Sequence, residues 1–217
     1  MQLPINTLLQ AGVGFVLRLA LVAVAITLLW LDLAVFHTDL LELSFTEIGQ
    51  ELMLLACALL FWLAPAAKEA RGFKVLAGGF FACLLMRELD GLFDPISHSA
   101  WCWPLMLIAG GCIGFACKAS NRASTLSGIL AFLKSREFSA FSTGFAVLVF
   151  SRVFGMGALW HLILQGGYAR LAKTAVEEGI ELLTYTLWLA ASLEYFWRAR
   201  RAVNEPALQT GRTGWVR

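Results

Sequence analysis

The chain has 217 residues, of which 59% are hydrophobic and 15% charged, with 17 Lys and Arg against 15 Asp and Glu for a formal net charge of +2. Average soluble domains are about a quarter charged, and long apolar blocks would leave a soluble fold little polar surface, so composition points to an all-α polytopic membrane protein. The small net charge, without a Lys/Arg stripe interleaved with aromatics, excludes a nucleic-acid partner; the partners it implies are the lipid bilayer and, in one reading, another membrane protein.

A helix needs about 20 residues to cross the ~30 Å hydrocarbon core, where the backbone must satisfy its own hydrogen bonds. Residues 13–35, 46–64, 73–93, 101–117, 139–159 and 177–197 meet that need, giving six transmembrane helices in a single bundle over 1–201. Residues 202–217 read as a flexible cytoplasmic tail. The first dozen residues carry no charge and Arg18 is the only basic residue at the first apolar stretch, which therefore reads as a retained helix rather than a cleaved signal.

The second span opens at Ser44 and the sixth at Thr174, and both contain E-x-G-x-E-L, over 47–52 and 177–182. Ser44 with Glu47, and Thr174 with Glu177, have the spacing of a capping box, in which hydroxyl and carboxylate satisfy the free amides of a helix start. Glu51 and Glu181 lie about 6 Å further along their helices, where capping does not explain them. The Glu177-Glu178 doublet resembles the opening of the E-E-x-x-x-R motif of intramembrane proteases that process prenylated proteins, but the arginine and the histidine partners are missing. No nucleophile elbow or phosphate loop is present, and Ser151 has no evident base beside it.

The third span ends in a run of ionisable residues: Arg87, Glu88, Asp90, Asp94 and then His98. Arg87, Asp90 and Asp94 share a helix face, while Glu88 points about 100° away. Asp90 and Asp94 stand at a helix C-terminus, where the macrodipole disfavours negative charge, and Asp94-Pro95 stops the helix. The short fourth span contains Gly110-x-x-x-Gly114, a pattern that lets a neighbouring helix approach closely. Beyond it Leu126, Ile129, Leu130 and Leu133 recur at helical spacing beside Lys134 and Arg136, the pattern of a short helix lying on the inner surface.

Connections sort by charge. Lys68, Arg71 and Lys74, then Lys118, Arg122, Lys134 and Arg136, then Arg198, Arg200 and Arg201 mark three regions as cytoplasmic, because basic residues are retained on that side. Both termini are then inside. The alternate connections, with Asp39, Glu42, Glu47, Asp94, His98, His161, Glu177 and Glu178 and only Arg170 and Lys173 as basic company, face the periplasm of an inner membrane, and Trp30, Trp101, Trp103 and Trp160 form the outer aromatic belt.

At that outer end Arg87, Arg152, Glu51 and Glu181 fall at similar depth and can form one layer, since a buried charge in lipid costs about 2.5–3.5 kcal/mol and calls for a partner. In a functional reading, Arg87, Arg152, Glu51 and Glu181 bind a polar ligand, the arginines taking an anionic group such as phosphate. Glu88, Asp90 and His98 are then candidate catalytic groups for hydrolysis of a lipid-linked or periplasmic substrate. Asp90, Asp94, His98 and Glu178 offer the imidazole and carboxylate set of a divalent metal, the implied cofactor. Two alternatives are a proton- or cation-coupled transporter and a membrane scaffold locked by ion pairs. The five cysteines lack ligand or disulfide spacing and read as packing residues.

Overall fold

The computed structural model describes residues 5–38, 40, 43–65, 70–164 and 170–212; Asp39, Glu42 and Lys68 lie outside the described residues. Among these, every regular element is helical: α1 (Ile5–Trp30), continuing as a π-helix (Leu31–Phe36), α2 (Phe45–Leu63), α3 (Arg71–Glu88), the single turn α4 (Asp90–Phe93), α5 (Cys102–Cys117), α6 (Ala119–Leu133), α7 (Arg136–Gly155), α8 (Gly157–Leu164) and α9 (Arg170–Arg212). Helix α9 continues past the boundary at which the sequence suggests a flexible tail.

Among the described residues, three segments are long and apolar enough to cross a membrane: Ala11–Phe36, Phe45–Leu63 and Arg136–Gly155. A fourth arises if α5 and α6, bent by 97°, count as one. The third and sixth expected spans are helical but too polar to join them. Arg71, Lys74, Arg87 and Glu88 all fall in the 18 residues of α3. In α9 the carboxylates are joined by Thr184, Tyr185, Thr186 and Ser192, every one of them buried. Polar groups enclosed by protein need not meet lipid.

The chain divides into two compact units: Met1–Met53 with Ser139–Ala190, and Leu54–Phe138 with Ala191–Arg217. In the first, the two E-x-G-x-E-L glycines receive consecutive leucines of α1. A Cβ on Gly49 would collide with the Leu28 side chain, and one on Gly179 would touch Leu29 at 3.4 Å. Gly144 lies against the Trp188 indole, whose N–H donates to the Phe141 carbonyl at 3.1 Å. Tyr185, Trp188 and Leu182 are almost fully buried there.

The second unit has an aromatic core. Phe61 stacks on Tyr195 with centroids 4.7 Å apart and on Phe81 at 5.8 Å, and Phe73 meets Phe132 at 4.8 Å, separations at which aromatic pairs are attractive. Gly78 lies under the Trp62 indole and Gly79 against Cys112. At Gly110 and Gly114, by contrast, a Cβ would meet no atom of another described residue within 4 Å. The close approach that G-x-x-x-G suggests is therefore made at Gly78 and Gly79, because α3 carries the small residues where bulky side chains press inward. Lys74 donates to the Ala64 carbonyl, satisfying the end of α2.

Candidate functional site

The start of α2 is held by a residue that sequence reading passed over. Asp32, fully buried in the π-helical extension of α1, accepts the Phe45 amide at 2.9 Å, the Thr46 amide at 2.6 Å and the Thr38 hydroxyl at 2.8 Å. The first amides of a helix have no partner within it, and a carboxylate there also meets the positive end of the macrodipole. Ser44 contributes the expected cap by accepting the Glu47 amide at 3.2 Å. Between them His37 (φ 50°) and the buried Leu40 (φ 54°) have left-handed backbone. The available signal was a lone acid inside an apolar run, but its partners lie 13 and 14 residues away, beyond any local capping pattern.

The second expected capping box does not form. Helix α9 begins at Arg170, so Thr174 is an interior residue, and Glu177 is free to serve another purpose. It lies 3.5 Å from Arg152 of α7 and 3.3 Å from Lys173. Arg152 also donates to Glu181, one turn deeper in α9. The cluster is closed by Gly155, where any Cβ would collide with the Glu177 carboxylate. Glu181 is 2% exposed and Glu177 15%, whereas Lys173 keeps 23% and Arg152 44% of their side chains open. Two enclosed carboxylates thus hold two partly open cations. Beside them the buried Gln50 amide donates to the backbone oxygen and the carboxylate of Glu178, both at 3.1 Å. Glu51 is half-buried on α2.

The Arg87 region, in the second unit, is built differently from the expected continuous helix. Helix α3 stops at Glu88, and Leu89 (φ −82°, ψ 14°) turns the chain into α4. The face shared by Arg87, Asp90 and Asp94 is broken at that point, and Arg87 pairs with its neighbour Glu88 at 2.5 Å. Asp90 is exposed. Asp94 and His98 form a pair at 3.2 Å, with 94% of the histidine side chain open. Among the described residues no group of three or more His, Cys, Asp or Glu could hold a metal ion. Of the set Asp90, Asp94, His98 and Glu178, the structure pairs Asp94 with His98. His37 lies 2.9 Å from the Leu33 carbonyl, and the Ser151 hydroxyl donates to the Leu148 carbonyl at 2.7 Å, a helix bond rather than the contact of an activated nucleophile.

Of the sequence-derived candidates, then, Arg87 meets Glu88, Asp94 meets His98, and Arg152 meets Glu181 together with Lys173 and with Glu177, which the sequence assigns to a helix cap. Comparison with protein-family models, with curated proteins and with solved structures finds no match for the chain.

Proposed function

We propose that this is a six-span inner-membrane protein in which the Arg152 cluster binds the anionic group of a polar or lipid-linked ligand. The observation that supports the reading is the contrast of exposure within one ion pair, with Glu181 enclosed and Arg152 almost half open. A guanidinium carries five N–H donors in a fixed fork. Glu177 and Glu181 orient that fork from behind and leave donors on its open side, with Lys173 beside it to share the charge. An ionisable group within a membrane bundle is by default a functional candidate.

Full-length protein in nanodiscs, titrated calorimetrically with inorganic phosphate and, separately, compared in discs with and without phosphatidate, tests the site. Arg152→Lys keeps the charge and loses the fork, so binding is expected to weaken about tenfold, the factor that corresponds to about one charge-assisted hydrogen bond. Lys173→Gln should weaken it less. Phosphate and phosphatidate affinities that are absent in the parent, or unchanged in both variants, sink the reading.

The fit of Glu177 over Gly155 supports a second reading, an ion-pair lock between α7 and α9. Arg152→Leu alone leaves Glu181 enclosed without its cation, at a cost of about 3 kcal/mol, whereas replacing both by leucine restores most of the stability. A folded double variant that retains function establishes the lock; one that is folded and inactive favours the site.

A further inference from the structure

We propose that α6 is an in-plane anchor whose partner is the anionic phospholipid headgroup layer. This rests on the membrane reading but not on the Arg152 site. Helix α5 has 16 residues, about 24 Å of helix, and the chain then bends by 97° into α6 through the extended backbone of Lys118 (φ −57°, ψ 138°). A helix at right angles to a membrane-crossing one lies along the surface. The corner is satisfied from within: the Asn121 amide donates to the Phe115 carbonyl at 2.9 Å, and the Thr125 hydroxyl lies 3.0 Å from the Ala116 carbonyl. Two of the last four carbonyls of α5, those of Phe115 and Ala116, thus have side-chain partners on α6.

At about 100° per residue, α6 divides into three sectors. Thr125 and Gly128 are buried against α3, where a Cβ on Gly128 would press on Phe73 and Ala70. Ser120 and Ser127 are exposed on a polar flank, with Lys134 just beyond the helix end. Leu126, Leu130 and Leu133 occupy the third sector at 59%, 50% and 47% exposure, with the exposed Arg122 one turn before Leu126 on the same side, where its long stem can lie along the interface and its charge reach the headgroups. Protein on one side, a polar flank on the second and open leucines on the third suit a helix half-sunk in the interface.

Charge selects the lipid. Lys118, Arg122, Lys134 and Arg136 are all exposed around α6. The unit that contains it has 13 Lys and Arg against seven Asp and Glu, while the other has four against eight. Each basic residue near an anionic leaflet favours it about fivefold.

The test uses the full chain with its five cysteines replaced by alanine and a nitroxide placed at Leu130→Cys or Ser127→Cys, in nanodiscs of phosphatidylcholine with or without phosphatidylglycerol. The label at 130 should collide mainly with oxygen and the label at 127 mainly with an aqueous nickel chelate. Oxygen dominance at both positions means a re-entrant helix in the bilayer core, and nickel dominance at both means a solvent helix; either result overturns the proposal. Hydrogen exchange over 119–133 in the unlabelled wild type gives a reading that does not depend on removing the cysteines. Phosphatidylglycerol should slow that exchange severalfold, and Arg122→Gln with Lys134→Gln should erase the gain. Equal exchange in the two lipids overturns the anionic partner.

Discussion

Asp32 shows how far a single side chain can reach. Its two oxygens take two helix-start amides and a hydroxyl, so Asp32→Asn, which keeps one accepting oxygen and loses the charge, should cost about 1–2 kcal/mol, read as a lowered Tm in nanodiscs. Asp32→Leu should cost more, because it leaves the Thr46 amide enclosed without an acceptor. Arg152 is the opposite kind of residue, since its partners were visible in the sequence as carboxylates but its choice among them was not. Sequence depth placed it level with both Glu51 and Glu181; the packing of α7 against α9 brings it to Glu181 and Glu177. At the exposed Asp94–His98 pair, His98→Ala should leave the unfolding temperature unchanged, since the ring is almost wholly open, so any activity lost with that variant reports chemistry rather than folding.

Among the helices, small residues decide which faces touch. A Cβ at Gly144 or Gly155 meets the Trp188 indole or the Glu177 carboxylate, and forcing atoms into such contacts typically costs about 1–3 kcal/mol. Gly144→Ala and Gly155→Ala should therefore lower thermal stability, with Gly155→Ala also disturbing the Arg152 cluster. Gly110→Ala and Gly114→Ala, with open space around them, should be neutral or slightly stabilising in the same measurement, because alanine restricts the unfolded chain more than glycine. Most helices were legible from apolar run length alone. Their ends were less so: α9 starts before its apparent capping box and α3 stops before Asp94-Pro95, so neither the cap spacing nor the proline marks the terminus that the helix adopts.

For the whole molecule, the alternation of basic and acidic connections makes a direct prediction. If six spans are present, a maleimide that cannot cross membranes should label cysteine at His98 from outside and cysteine at Lys134 only after permeabilisation. Labelling of both from one side leaves an odd number of crossings unaccounted for and removes the six-span topology. By itself the sequence determined the helical class, the apolar stretches that suit a bilayer and the set of charges that need partners, since all three follow from composition and period. Only the tertiary structure decided which charges meet. A carboxylate's partner depends on distances across helices, and the sequence places Asp32, Glu177 and Glu181 on their own helices without saying that the first caps α2 and the other two share one arginine.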